Sequence, residues 1–282
     1  MLTGMNLLLW TAHVTEEHFP LMAKLKQTGF DGVELPLFGG DVAHYQRVGK
    51  EIKNLGLRAT AVTVCNEQNN PISPDPKVRQ AGLDHIKQAI EWCAAFGGEN
   101  LCGPYHSALG AFSGTAPTED EKARAADVLR AAAEHAQKHN VMLAMEYLNR
   151  FECYLLTTAA DMQAMVKRVN HPHCRMMYDT FHAHIEEKAA GPVIESIAGS
   201  FVHVHISEND RGTPGTGQVH WDETFRALRK VGYDGWLTIE AFGRALPDLA
   251  AATRVWRDLF PAAEEVYTKG LQLMKQKWQQ FA

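Results

Sequence analysis

Four apolar segments in the second half of the chain each carry, at or near their end, a side chain that can bind a metal ion or move a proton. The segments L-A-M-E-Y, M-M-Y-D, H-V-H and L-T-I-E-A supply Glu146, Asp179, His205 and Glu240. A carboxylate buried without a partner is costly, and the segments hold no lysine or arginine other than Arg175. Each acid taken singly could pair with a basic residue elsewhere, but one divalent cation would compensate all four side chains together.

The donor types indicate which cation this would be. Three carboxylates and one imidazole are mostly hard oxygen donors, which favours Mn²⁺, with Mg²⁺ or Co²⁺ as alternatives, over a thiolate-type zinc site. His203 and His205 are two positions apart and therefore point to the same side of a strand. His205 lies nearer the end of its segment and is the predicted ligand, whereas His203 is predicted to support it from one layer deeper.

A second set of polar residues follows within six positions of the first three predicted ligands, namely Glu152, His182 and Arg211. An imidazole and a guanidinium beside a metal can hold hydroxyl or carbonyl oxygens of a substrate, and a carboxylate can orient either of them. Any one of these residues alone would be weak evidence, because polar loop residues are commonly just solvated.

The elements that must position these residues alternate along the whole chain between short apolar runs and segments of helical periodicity. Strands are predicted over residues 7–12, 32–35, 58–64, 100–103, 142–147, 175–179, 201–206 and 236–241. Helices are predicted near 16–28, 41–55, 76–97, 118–139, 158–169, 186–197, 221–231 and 247–257. A further amphipathic helix, over about 261–282, is expected to pack against the rest of the chain or against another subunit.

Eight alternating units most economically form a closed (β/α)8 TIM barrel, with residues 1–282 as a single domain. Strands buried on both faces read as the near-continuous apolar runs seen here. In such a barrel the carboxyl ends of the strands meet at one face, so the predicted ligands converge there. An open doubly wound sheet is the alternative, but no G-x-G-x-x-G follows the first strand.

Composition narrows the class of partner. The formal net charge of −5 offers no concentrated basic face for nucleic acid or an anionic membrane. No apolar run is long enough to span a membrane, and no signal peptide is evident. The five cysteines are scattered without a C-x-x-C spacing, as expected for reduced thiols. These features predict a cytoplasmic protein that acts on a small molecule.

The ordered set of Glu146 with Glu152, Asp179 with His182, His205 with Arg211, and Glu240 resembles the sugar isomerase/epimerase barrel superfamily. More narrowly, it resembles the ketose 3-epimerases that act on D-tagatose, D-allulose or L-ribulose. The resemblance covers nearly the whole chain and includes C-G-P-Y-H-S-A-L-G, from Cys102 to Gly110. The sequence departs from several members at Phe112, where they carry a tryptophan.

The resemblance implies that the first member of each pair and Glu240 bind the metal, and that Glu152, His182 and Arg211 contact a ketose. Glu146 and Glu240 would remove and return the C3 proton from opposite faces through an enediolate. His182 and Arg211 would hold O1 and O2, with Glu152 orienting the imidazole. A homo-oligomer, dimer or tetramer, is also expected.

Three alternatives remain open. An aldose-ketose or hydroxypyruvate-type isomerase of the same superfamily would use a similar metal site but move a proton between C1 and C2. A metal-dependent DNA-repair endonuclease would need further ligands and a basic surface. A non-catalytic sugar-binding protein would explain a pocket but not two carboxylates beside one metal.

Overall fold

The computed structural model describes residues 1–282 and contains eight parallel strands that close into one barrel, each strand paired with the next in chain order and β8 paired with β1. The predicted (β/α)8 TIM barrel is confirmed. The strands are β1 (Leu2–Asn6), β2 (Gly32–Pro36), β3 (Arg58–Val62), β4 (Asn100–Gly103), β5 (Met142–Met145), β6 (Cys174–Asp179), β7 (Phe201–Ile206) and β8 (Trp236–Ile239).

Ten α-helices surround the barrel or follow it. They are α1 (Phe19–Thr28), α2 (Val42–Asn54), α3 (Pro76–Phe96), α4 (Glu119–Lys138), α5 (Ala159–Val169), α6 (Thr180–Glu186), α7 (Ala190–Ser196), α8 (Trp221–Lys230), α9 (Pro247–Thr253) and α10 (Ala263–Gln280). The last helix packs against α8, β8 and β1 of its own barrel. None of the helices combines the length and the apolar character needed to cross a membrane.

Several helices begin or end at residues suited to those positions. Thr118 caps α4 and exchanges hydrogen bonds with Glu121, so two free backbone N–H groups of the first turn are satisfied. Gly29 ends α1 with a φ of 107°, and Gly232 follows α8 with a φ of 69°. Both values lie in the left-handed region, which glycine adopts without a steric penalty.

The predicted first strand, residues 7–12, is wrong. β1 precedes it, and Leu7–Leu9 form a 3-10 turn in which the Asn6 side chain accepts a hydrogen bond from the backbone of Leu8. A continuous apolar run does not distinguish a buried strand from a buried helical turn. The true strand contains Gly4, where a Cβ atom would lie 2.5 Å from Thr238 Oγ1 on β8.

The helix predicted near 186–197 is present as the shorter α7, and the preceding α6 was not predicted. Asp179 starts α6 immediately after β6 by accepting hydrogen bonds from the backbone of Phe181 and His182. Pro192 lies in the first turn of α7, where its missing N–H is tolerated. The predicted ends of β5 and β8 run two residues too far, so Glu146 and Glu240 come directly after their strands.

Candidate active site

Glu146, Asp179, His205 and Glu240 come together where β5 to β8 end. Each side chain offers one donor atom, and these atoms all lie within 4.8 Å of one another. His205 Nδ1 lies 3.4 Å from Glu240 Oε1, 3.5 Å from Asp179 Oδ2 and 4.0 Å from Glu146 Oε1. All four side chains are buried. The structure therefore gathers the four predicted ligands into one cluster, and their role in metal binding stays a prediction.

The strand ends hold the carboxylates in fixed positions. The backbone N–H of Glu146 donates to the carbonyl of Gly103 at the end of β4, over 3.1 Å. Asp179 uses Oδ1 to accept from the backbone of Phe181 at 2.6 Å, which leaves Oδ2 to face the cluster. One oxygen of Asp179 thus starts a helix while the other remains available for chemistry.

Two of the three carboxylates have an arginine partner that reaches them from a loop. Arg211 Nη1 lies 2.6 Å from Glu240 Oε2 and 3.4 Å from Asp179 Oδ2. The Arg211 guanidinium also lies 3.8 Å from the ring centre of Phe181 and 4.9 Å from that of Phe242. The sequence did not predict this pairing, because only basic residues within the strands were considered and Arg211 belongs to the loop after β7.

Arg211 does not satisfy the whole cluster. Glu146 Oε1 and His205 Nδ1 are buried and have no hydrogen-bond partner. Burial and the like charge of Glu240 raise the pKa of Glu146 well above its ordinary value. Burial opposes ionisation of Asp179 too, but Arg211 and His182 lower its pKa well below the usual range. Buried atoms that can bind a metal and have no hydrogen-bond partner, within an oxygen-rich set of side chains, fit a divalent cation.

His182 and Arg211 present hydrogen-bond donors to the same space. His182 Nδ1 accepts from the backbone N–H of Asn149 at 3.0 Å, so the neutral ring carries its proton on Nε2. Burial and the charge of Arg211 lower the pKa of His182, which favours this neutral form. Its Nε2 lies 3.0 Å from Arg211 Nη2. Both nitrogens carry hydrogen, so neither accepts from the other and both need a hydrogen-bond acceptor. A ligand oxygen would satisfy them.

Glu152 lies beside this pair but does not touch His182 directly. Its Oε1 accepts from Asn149 Nδ2 at 2.9 Å, and Asn149 in turn contacts His182 Nδ1 at 3.0 Å. The predicted orientation of the imidazole by Glu152 therefore runs through Asn149, which sequence reasoning missed. A cavity of about 290 Å³ opens here and is lined in part by Asn149, Glu152 and Phe181.

Beneath the cluster lies another carboxylate, which was not predicted from the sequence. Glu34, within β2, is fully buried, and its Oε1 lies 2.8 Å from His205 Nε2. Its Oε2 lies 2.9 Å from His203 Nε2, so His203 lies deeper than the cluster, as predicted, and its supporting role stays a prediction. Burial opposes the charge of Glu34, but the two histidines hold its pKa well below the ordinary value. The sequence could have marked Glu34 as a candidate site residue, since an acid interrupts the otherwise apolar strand G-V-E-L-P.

Comparisons with known proteins agree with the fold. The family model described as "Xylose isomerase-like TIM barrel" matches residues 22–277. A ketose 3-epimerase of Arthrobacter globiformis is 31% identical over 94% of this chain and 93% of its own length. The chain belongs to the xylose isomerase-like TIM barrel family, among its ketose 3-epimerases.

Other members of this group align over almost their full length. A D-psicose 3-epimerase of Agrobacterium fabrum is 29% identical over 90% of both chains. The crystal structure of a D-allulose 3-epimerase from Methylomonas sp. in complex with D-allulose superposes with a TM-score of 0.92 at 26% identity, covering 98% of this chain and 97% of the other.

Two further residues, Glu208 and Phe112, lie in the loops that follow β7 and β4. Glu208, after β7, accepts hydrogen bonds from the backbone N–H groups of Gly215 and Val219 and from Trp221 Nε1. These contacts order the loop that carries Arg211. Phe112, at the position where the sequence departs from several ketose 3-epimerases, is 51% exposed and packs against Tyr154.

Proposed function

We propose that this chain is a metal-dependent ketose 3-epimerase that inverts C3 of a free ketohexose or ketopentose. The observation that carries the proposal is the pair of buried carboxylates Glu146 and Glu240 within one ligand cluster, beside the donor pair His182 and Arg211. The relatives that act on D-allulose, D-psicose and L-ribulose support this substrate class.

Glu146, Asp179, His205 and Glu240 hold the cation, which the donor set selects as Mn²⁺, with Mg²⁺ or Co²⁺ as alternatives. When bound, the cation supplies a Lewis acid that stabilises negative charge on the oxygens at C2 and C3. The unpartnered Glu146 Oε1 and His205 Nδ1 support this assignment, because both atoms are buried and lack any other partner.

The protein's own side chains move the C3 proton. Glu146 and Glu240 come from β5 and β8, which two further strands separate, so the two carboxylates approach a bound sugar from different directions. One removes the proton and the other returns one to the opposite face, and the roles exchange when the reaction runs backward. His182 and Arg211 donate to O1 and O2, while Glu152 keeps His182 oriented through Asn149.

Location of the exchanged hydrogen tests the proposal. The protein, loaded with Mn²⁺, is incubated in D₂O with D-fructose, D-tagatose or L-ribulose, and the products are examined by NMR. Deuterium at C3 with formation of the C3 epimer is expected. Deuterium at C1 alone would instead identify an aldose-ketose or hydroxypyruvate-type isomerase. Thorough removal of metal with EDTA should abolish turnover and added Mn²⁺ should restore it; activity that survives metal removal would contradict the proposal.

Three further expectations belong to the same proposal. Residues 1–282 act as one domain, the protein works in the cytoplasm, and it forms a homo-oligomer, as barrel enzymes commonly do. Light scattering coupled to size exclusion measures the assembly directly. A mass of two or four chains is expected, whereas a stable monomer at working concentration would contradict the third expectation.

A further inference from the structure

Glu34 is surrounded by polar groups that can donate hydrogen bonds. Thr60 Oγ1 donates to Oε2 at 2.8 Å, Asn6 Nδ2 donates to Oε1 at 3.0 Å, and Cys102 Sγ lies 3.3 Å from Oε2. The two histidines of β7 add contacts at 2.8 and 2.9 Å. Five neighbouring groups that can donate therefore surround one carboxylate, and no lysine or arginine takes part.

We propose that Glu34 is a positioning residue that fixes His205 for metal binding. His205 Nε2 lies against Glu34 Oε1, so the ring directs Nδ1 toward Asp179, Glu240 and Glu146. The inference rests on the proposed function, because it assumes that the cluster binds a cation. A carboxylate behind a ligating histidine fixes the orientation of the ring and strengthens its free nitrogen as a donor.

A second contact extends this role to the proposed proton-transfer residue. Asn6 Nδ2 lies 3.0 Å from Glu34 Oε1 and 3.2 Å from Glu240 Oε1. One amide group thus joins the carboxylate behind His205 to the carboxylate that holds or moves the C3 proton. Displacement of Glu34 would therefore disturb both His205 and Glu240.

The charge of Glu34, and not its shape alone, is what the surrounding groups require. A glutamine fits the same space, but its amide nitrogen would replace one of two oxygens that both face donors. Either His205 and Asn6 or Thr60 and His203 would then face another donor. Glu34→Gln is therefore the single substitution that best tests whether the charge of Glu34 is required.

The first experiment titrates metal-free Glu34→Gln and wild-type protein with Mn²⁺ by calorimetry. We expect the dissociation constant to rise about 10- to 100-fold in the variant. Glu99→Gln is the matched control, because it makes the same acid-to-amide change in a carboxylate that pairs with Arg58 and lies outside the cluster. The control should bind Mn²⁺ within about threefold of wild type, well below the loss expected of the orienting carboxylate. Equal losses in both variants, or no loss in Glu34→Gln, would overturn the proposal.

The second experiment reads His205 directly. In Co²⁺-loaded protein the exchangeable Nε2 proton of a ligating histidine gives a paramagnetically shifted NMR resonance. Solvent exchange of this proton should accelerate in Glu34→Gln and stay as in wild type in Glu99→Gln. If Glu34→Gln does not fold, Glu34→Asp keeps the charge, withdraws the acceptor by one methylene, and should show the same changes in smaller measure. Neither readout needs turnover, so absence of epimerase activity would refute the proposed function without touching this result.

An independent observation points to a second metal site on the outer surface. His135 lies on α4 and His139 directly follows that helix, with their ring centres 4.6 Å apart. His135 Nε2 lies 3.0 Å from Glu91 Oε1 on α3. Their donor atoms lie within 4.8 Å of one another. Solvent reaches the group, since the side chains of His135 and Glu91 are 20% and 44% exposed.

We infer that Glu91, His135 and His139 bind Zn²⁺, with water in the fourth position. Two imidazoles and one carboxylate are a zinc-type donor set, distinct from the oxygen-rich cluster inside the barrel. The site lies toward the ends of α3 and α4, at the face of the barrel opposite the strand ends. It would join two helices without touching the reaction.

Equilibrium dialysis against micromolar ZnCl₂ tests this site by counting bound zinc per chain. His139→Asn should bind one zinc fewer than wild type and should keep wild-type turnover with Mn²⁺. His173→Asn is the control, because His173 belongs to no such group, and its zinc content should equal that of wild type. Equal zinc contents in wild type and His139→Asn would overturn the inference.

Discussion

At the scale of single residues, Glu240 carries the clearest chemical consequence. Its carboxylate is held by Arg211 and Asn6, so Glu240→Gln keeps one oxygen and most of the shape but cannot move a proton. Turnover should fall about 10²- to 10⁴-fold, the usual contribution of a positioned acid or base. The rate is measured by NMR conversion of D-fructose at saturating Mn²⁺. Near-normal turnover at full metal occupancy would exclude Glu240 from proton transfer.

Arg211 should act on substrate binding. Its guanidinium contacts Glu240 and Asp179 through Nη1 and places Nη2 beside His182 Nε2, and a lysine cannot reproduce that fork. Arg211→Lys should raise KM by about tenfold or more, the cost of roughly one charge-assisted hydrogen bond, with a smaller change in kcat. Initial-rate kinetics over a range of ketose concentration separate the two constants. An unchanged KM would show that Arg211 only balances the carboxylates.

The sequence identified the residues that face the mouth of the barrel better than those beneath it. Glu146, Asp179, His205 and Glu240 were found because each polar side chain interrupts or follows an apolar strand. Glu34 was missed because its partner His205 comes from β7, which is far along the chain and not adjacent to β2 in the barrel. Contacts across the interior of a barrel depend on strand tilt and register, which no local spacing reports.

At the scale of the elements, β4 positions Glu146 through a glycine. Gly103 has a φ of 122°, a Cβ atom there would lie 2.1 Å from the carbonyl oxygen of Thr63, and its own carbonyl accepts from the backbone of Glu146. Gly103→Ala should therefore lower the free energy of unfolding by about 3 kcal/mol or more, since strain and overlap add. Chemical denaturation measures this change.

Gly110→Ala provides the matched control for that variant. Gly110 also has a positive φ, 72°, but a Cβ atom added there would have no other atom within 4 Å, so only backbone strain of about 1 kcal/mol is expected. Gly103→Ala should in addition reduce turnover, because it displaces the strand end that holds Glu146. Similar stabilities for the two variants would show that β4 tolerates the overlap by moving.

Strand order and helix positions were predictable wherever apolar periodicity was unambiguous. β4 and β7 have the predicted bounds, because each is a short apolar run between clear breaks. The first strand failed because L-L-L-W is more apolar than the true strand L-T-G-M-N, although only the latter pairs with β2 and β8. Packing in the closed barrel thus overrode local hydrophobicity.

At the scale of the whole molecule, the interior cluster should link metal binding to stability. A ligand that binds only the folded protein stabilises it by about 2.7 kcal/mol at 100 times its dissociation constant, which corresponds to a rise in Tm of about 5 °C for a chain of this size. Thermal unfolding with and without Mn²⁺ measures the rise. No shift under saturating Mn²⁺ would contradict a site made only by the folded barrel.

Glu146→Gln distinguishes the effect of Mn²⁺ binding on stability from the effect of the Glu146 charge. Burial and Glu240 raise the pKa of Glu146, so in metal-free protein the folded chain binds this proton more tightly than the unfolded chain. Stability from this group is present at acid pH and is lost as pH rises from the ordinary carboxyl range through the raised pKa. The glutamine variant lacks this loss. Above that range, metal-free Glu146→Gln should therefore equal or exceed wild type in stability, yet gain much less from Mn²⁺, because one donor of the cluster has become a neutral amide.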